Sequence, residues 1–322
     1  MLVSFLAILA GFALLIWGAD KFVLGASGTA SNLGISPLVI GLTVVGFGTS
    51  APEMIVSFMA AWNGNPEIAV GNAIGSNIAN IGLVLGITAL VVPLSVHSKV
   101  LKREYPMMFI VMLLAWYLLF DQQLSLSDGI ILISSMVLVL TLITLLGIHD
   151  QKNTDEPLNL EFSDEIPKDI TTRASILWLL AGLVLLLISS KMLVWGAVNV
   201  AREFGVSDLI IGLTIVAIGT SLPELAASIA GALKGEHDIA IGNVIGSNMF
   251  NLLGVLGIPA IVHPHQFSAT VLSRDYPVMI GLSIALFVFA YGFRGQGRIN
   301  RWEGFLLLTT YAIYMYFIYR SI

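Results

Sequence analysis

Cysteine is absent from the 322 residues, and charge is scarce: Asp, Glu, Lys and Arg make up 11% of the chain, against roughly 25% in an ordinary soluble domain. Without cysteine there is no disulfide framework and no thiolate metal site. So little charge cannot coat a water-facing surface, which excludes a soluble enzyme. A net charge of −5 with no basic stripe excludes a nucleic-acid binder. What the chain does have is apolar: 57% hydrophobic residues and a mean hydropathy of +0.92. They come in repeated runs of about 20, the length that crosses ~30 Å of hydrocarbon. The chain is expected to lie in a bilayer.

Charges, Pro and Gly bound ten candidate transmembrane helices, at about 2–20, 38–62, 67–92, 105–120, 126–147, 174–195, 208–233, 238–262, 276–293 and 303–320. The short alternating strands of a transmembrane β-barrel do not occur, so the expected class is an all-α polytopic membrane protein. Gly25-Ala26-Ser27-Gly28 resembles a signal-peptidase site, but no Lys or Arg precedes Asp20 to form a basic leader. The first span is expected to remain in the protein. Sorted into alternate loops, the basic residues divide eleven to four, with Lys21, Lys99, Lys102, Arg103, Lys152, Lys168, Arg173, Lys234, Arg294, Arg298 and Arg301 on one side. By the positive-inside rule that side is cytoplasmic and both termini are outside. The acidic stretch 150–173 reads as a cytoplasmic linker, since it has no EF-hand spacing.

The linker separates two copies of one unit, 1–149 and 174–322. An offset of 171 lays residues 41–86 on 212–257 without a gap, with 24 identities in 46 positions. It also lays Arg103-Glu104-Tyr105-Pro106 on Arg274-Asp275-Tyr276-Pro277. Each unit holds five spans, an odd number, so the second enters the membrane from the opposite side. An inverted repeat of this kind suits a transporter that opens a central site to each side in turn.

The repeated segments place a carboxylate inside an apolar span: Glu53 in TSAPE and Glu224 in TSLPE. A charge at the bilayer centre costs about 2.5–3.5 kcal/mol or more, so such residues generally face a partner, a cavity or an ion. Thr49 and Ser50 precede Glu53, and Thr220 and Ser221 precede Glu224, so that hydroxyl and carboxylate share a helical face. Pro52 and Pro223 donate no hydrogen bond to Gly48 and Gly219, and they are expected to kink the helix and free carbonyl oxygens that a cation could use. The next span of each half adds Ser76 with Asn80, and Ser247 with Asn251, one helical turn apart. Gly71/Gly75 and Gly242/Gly246 read as small faces for close helix packing. All the donors are hard oxygens, which suits Ca²⁺ or Na⁺ and disfavours zinc and copper. Two glutamates neutralise one divalent ion or two monovalent ions.

GTSAPE with GSNIAN, and GTSLPE with GSNMFN, resemble the paired α-repeats of the cation/Ca²⁺ exchanger superfamily on its Na⁺/Ca²⁺ side. The resemblance covers essentially the whole chain. It implies ten helices, with spans 2, 3, 7 and 8 around the ions and spans 1 and 6 sliding across them. It implies Ca²⁺ held by Glu53, Glu224 and the carbonyls of Thr49 and Thr220. Flanking Na⁺ sites would use Ser50, Ser76 and the Gly46 carbonyl, and Ser221, Ser247 and the Ala217 carbonyl. Some relatives carry Asp at the position of Asn251; here both it and Asn80 are neutral amides, which argues against K⁺ coupling. The expected function is Ca²⁺ export against Na⁺ across a bacterial inner membrane, electrogenic above two Na⁺ per Ca²⁺. It needs no resident cofactor and no enzymatic chemistry. H⁺-coupled antiport and a cation channel are the alternatives.

Overall fold

In the computed structural model, the described residues are 1–64, 66–96, 100–152, 170–204, 217–291 and 297–320. Helices account for nearly all of them, and the first does not stop at Asp20. It runs as one element from Leu2 to Leu33 and ends at Gly34, whose φ of 66° turns the chain out of the helix. The small residues 25–28 therefore lie inside it, and the reason is packing. Gly11 faces Leu193, Gly18 faces Leu185, and Gly28 faces Ser175. A Cβ on Gly25 would collide with the backbone of Leu179 and approach the Ser175 carbonyl oxygen to 2.7 Å. Partner numbers fall as these rise, so Leu2–Leu33 and Thr172–Glu203, matching helices of the two units, run antiparallel along a seam that only small residues permit.

Among the described residues, six helices are long and apolar enough to cross a membrane: Leu2–Leu33, Glu67–Val91, Leu126–Leu146, Thr172–Ala201, His237–Val262 and Val271–Ala290. A seventh candidate is the pair Leu38–Thr49 and Ala51–Trp62, bent by 40°. Helices Tyr105–Leu119, Leu222–Leu233 and Arg301–Arg320 complete the set. The chain is a multi-pass helical membrane protein. The expected linker falls mostly at 153–169, and the start of the expected span 208–233 falls at 205–216, both outside the described residues.

Burial separates centre from rim. Of the most apolar stretch, 89% is buried in His237–Val262 and 72% in Glu67–Val91, against 28% in Leu2–Leu33 and 17% in Leu126–Leu146. The two Asn-rich helices thus form the middle, and the Leu-rich helices turn their side chains outward. Each central helix changes pitch midway, with π-helical turns at Asn80–Leu85 and Asn251–Val255. Another matched pair, Val100–Glu104 and Val271–Asp275, opens the helices that begin at Tyr105 and Tyr276. There the two Arg residues bond the acids that follow them: Arg103 Nε donates to Glu104 at 2.6 Å, and Arg274 Nε to Asp275 at 2.7 Å. Two short antiparallel ladders, Leu94–Val96 with Gly297–Ile299 and Gln123–Leu124 with His265–Gln266, tie the units together at their loops.

The seam sets a stability test. Gly25→Val should lower the thermal midpoint in detergent by the equivalent of about 1–3 kcal/mol, the usual cost of overpacking. Gly281→Ala, where a Cβ meets no described residue within 4 Å, should leave it unchanged or raise it. An unaltered midpoint for Gly25→Val would mean that the seam can open freely.

Candidate cation site

Both glutamates stand at the start of a helix, because the chain breaks just before them. Thr49 closes one helical segment and Ser50, at φ −81° and ψ 1°, leaves helical geometry; Ala51–Trp62 then begins anew. Ser221 does the same at φ −86° and ψ 2°, between Ala217–Thr220 and Leu222–Leu233. Pro52 and Pro223 are therefore early residues of a new helix, where a missing N–H removes no helical bond, and they do not kink a continuous one. Glu53 and Glu224 fall in the first turn, at the positive end of a helix dipole. Each also accepts a hydrogen bond from its own backbone N–H.

Both carboxylates are 1% exposed and sit among the expected oxygen donors. The Ser50 hydroxyl donates to Glu224 Oε1 at 3.4 Å, and the Thr220 hydroxyl hydrogen-bonds Glu53. Thr49 Oγ1 lies 3.0 Å from the carbonyl oxygen of Val45 and 3.0 Å from Asn243 Oδ1, either of which can accept its one hydrogen, and 3.4 Å from Ser247 Oγ. Ser247 in turn donates to the Gly46 carbonyl at 3.3 Å. Ser76 is 7% exposed and donates to Asn72 at 3.4 Å. Asn80 and Asn251 lie centrally, each 1% exposed. Ala217 opens the short helix that leads to Thr220.

Hydrogen bonds recur across the offset of 171. Asn72 Nδ2 donates to the Glu53 carbonyl and to Ser57 Oγ, both at 3.1 Å; Asn243 Nδ2 donates to the Glu224 carbonyl at 3.2 Å and to Ser228 Oγ at 3.0 Å. Asn80 Nδ2 reaches across to Asn248 Oδ1 at 3.1 Å, and Asn251 Nδ2 to Asn77 Oδ1 at 3.2 Å. Against this order, five buried oxygens of the cluster have no hydrogen-bond partner among the described residues: Oε2 of Glu53, Oε2 of Glu224, Oδ1 of Asn80, Oδ1 of Asn251 and Oγ of Ser221. An unmade bond at a buried polar atom costs about 1–3 kcal/mol, more for a charged one. Acceptors of this kind, with no basic side chain bonded to either glutamate among the described residues, suit a hard cation.

One expectation changes. The Gly219 carbonyl, freed where the helix breaks at Ser221, is not left bare: it accepts from the Ser190 hydroxyl at 2.6 Å. Ser190 has Ala19 as its counterpart, so the first unit has no such bond. Gly242 and Gly246 press on backbone atoms of residues 38–42, as expected of small packing faces; the repeat equivalents of those residues, 209–213, which would face Gly71 and Gly75, lie outside the described residues. The sequence reading assigned no role to Ser57, Ser228 or Ser190. The first two are identical across the repeat, a signal that could have found them.

A polytopic helical protein with a buried, duplicated oxygen cluster at its centre belongs to the class of membrane ion transporters. The family model described as sodium/calcium exchanger protein matches residues 3–145 and 174–320, and the chain belongs to that family. The chain is 50% identical over 321 residues to the Alkalimonas amylolytica protein named "Putative antiporter CaxA", covering 100% of each. It is 42% identical to the Escherichia coli inner membrane protein YrbG, covering 99% of this chain and 98% of that one. Among solved structures it matches the sodium-calcium exchanger NCX_Mj with a TM-score of 0.82 and 32% identity over 97% of each chain.

Ser190→Ala should lower the thermal midpoint by the equivalent of about 1–3 kcal/mol, because the Gly219 carbonyl is left buried without a donor. Ser189→Ala removes only a bond within its own helix, to Leu186, and should cost less. Equal losses would assign Ser190 no special bond.

Proposed function

We propose that this protein exchanges Ca²⁺ for Na⁺ across the cytoplasmic membrane of a bacterium by alternating access, exporting Ca²⁺. The observation that carries the reading is the set of five clustered, buried oxygens without a partner among the described residues, four of them on repeat-related pairs and two of them carboxylate oxygens. Glu53 and Glu224 ligate Ca²⁺, with the backbone carbonyls of Thr49 and Thr220. Na⁺ is held by the hydroxyls of Ser50, Ser76, Ser221 and Ser247, the amide oxygens of Asn80 and Asn251, and the carbonyls of Gly46 and Ala217. Two carboxylates balance one Ca²⁺ or two Na⁺, so the two loads compete for one pocket. A third Na⁺ would make the cycle electrogenic.

In the same reading, ten transmembrane helices form two inverted five-helix units, 1–149 and 174–322, joined by a cytoplasmic linker with both termini outside. The antiparallel course of Leu2–Leu33 and Thr172–Glu203 supports the inversion, since equivalent helices of parallel units would run the same way. The names of NCX_Mj and of the inner membrane protein YrbG agree with the activity and the location proposed.

Purified protein in liposomes should take up ⁴⁵Ca²⁺ when a Na⁺ gradient alone is imposed, and should not when a pH gradient alone is imposed. Uptake driven by pH alone would replace Na⁺ with H⁺, and flux needing no counter-ion would identify a channel. Glu53→Gln and Glu224→Gln should each abolish exchange in protein that still inserts and purifies as a folded species. Full transport by either variant would remove that residue from the site.

A further inference from the structure

The central amides are held in one orientation by atoms that lie outside the proposed ligand set. Met108 and Met279 are fully buried and occupy equivalent positions, two residues beyond Pro106 and Pro277. Asn77 Nδ2 donates to Met279 Sδ at 3.4 Å, and Asn248 Nδ2 to Met108 Sδ at 4.0 Å. A thioether sulfur has no hydrogen to give, so it can face only the NH₂ side of an amide. That choice turns Oδ1 of Asn77 toward Asn251 and Oδ1 of Asn248 toward Asn80. Asn251 and Asn80 must answer with their own NH₂ groups, at 3.2 and 3.1 Å. Their Oδ1 atoms are thereby turned away, and both are buried acceptors without a partner among the described residues. The same sulfur, amide, amide relay occurs once in each unit and crosses between units both times. A packing coincidence would not be expected to repeat with every donor and acceptor in register.

We propose that Met108 and Met279 are positioning residues: through Asn248 and Asn77 their thioethers fix the amides of Asn80 and Asn251 so that each presents an oxygen, and not an NH₂ group, to the transported cation. The proposal rests on the cation reading of this cluster. If the relay is lost, the outer amide rotates more freely and its partner can expose N–H to the pocket, where a cation is repelled. The two sulfurs come from the helices that open with the matched π-turns, so those helices reach the site through Asn77 and Asn248 without contributing a proposed ligand of their own.

The test compares Met279→Leu with Met279→Gln in Na⁺-driven ⁴⁵Ca²⁺ uptake, alongside Glu53→Gln and Glu224→Gln. Leu conserves volume and removes the acceptor; Gln supplies an acceptor oxygen but places an amide in an apolar setting. Met279→Leu should raise the half-saturating Ca²⁺ concentration roughly three- to tenfold, the worth of one hydrogen bond, with the maximal rate within about twofold of the parent. Met279→Gln should lie closer to the parent in half-saturation even though it melts at a lower temperature. A purely packing role predicts the same melting order but the opposite order in half-saturation, with Met279→Leu closer to the parent than Met279→Gln; that result would overturn the proposal, as would an unchanged half-saturation in Met279→Leu. Met108→Leu provides the same reading from the other unit should Met279→Leu fail to fold. Normal transport by Glu53→Gln and Glu224→Gln would refute the pocket itself. Inactive glutamate variants beside a Met279→Leu variant of parental affinity would refute the relay alone.

Discussion

Two carboxylates share one buried cluster, and each has an oxygen that no described residue satisfies. Water would solvate them; hydrocarbon cannot, and a second negative charge nearby adds repulsion. The local backbone is arranged around this difficulty. By breaking at Ser50 and Ser221, the chain starts a helix immediately ahead of each glutamate, so that the free N–H groups and the helix dipole offset part of the charge. Proline fits the break because its ring is pre-set for a first helical turn. Asn72 and Asn243 then bind the carbonyl of each glutamate to the neighbouring central helix, which fixes the height of the carboxylate relative to Asn80 and Asn251. A fixed cationic side chain would satisfy the charge permanently. The remaining deficit suits a site that an ion must enter and leave.

Asparagine is the residue this arrangement calls for. An amide donates on one side and accepts on the other, so one side chain can join the neighbouring unit and still offer oxygen. A hydroxyl rotates to whichever partner is near, and a carboxylate cannot donate at all. Where the two central helices meet, Asn80 with Asn248 and Asn77 with Asn251 make reciprocal bonds, and a network in which members orient one another is stiffer than isolated pairs. The π-turns that begin at Asn80 and Asn251 shift the helical register at those residues, changing which face of each helix the next residues present.

Much of this was legible in the sequence. Apolar run length gave most of the helices, and the duplicated TSxPE and GSN segments pointed to the residues that meet at the centre. What sequence could not reveal depends on geometry of one residue or less. A π-turn inserts a single residue without altering composition, and two- or three-residue ladders such as Gln123–Leu124 with His265–Gln266 carry no periodic signal. The first helix was read as ending at Asp20 because charge and small residues usually mark an end. Those glycines instead allow Thr172–Glu203 to approach. Proline was read as a kink, where the backbone had already left the helix at the preceding serine. The use of the Gly219 carbonyl by Ser190 required knowing which helix lies beside the break.

The two units are alike in the proposed ligands and unlike in what surrounds them. Ser190 reaches Gly219, but Ala19 cannot do the same for Gly48. Lys234 bonds Asp20 at 2.8 Å, and Ser27 bonds Glu236, tying the first long helix to the connection after Leu222–Leu233. The equivalent positions in the other unit hold Lys191 with Asn63, and Val198 with Asn65, which include no carboxylate. Neither bond to a carboxylate can therefore have a counterpart there. In the proposed exchange cycle the two end states interchange the roles of the units, so a perfectly duplicated chain would hold both at equal energy. The Lys234 pair is partly exposed, with side chains 29% and 46% accessible, and such pairs contribute about 1 kcal/mol or less. That is still enough to shift a balanced two-state equilibrium several-fold. In that cycle the proposed ligands can remain nearly symmetric while the surrounding contacts bias which side is favoured.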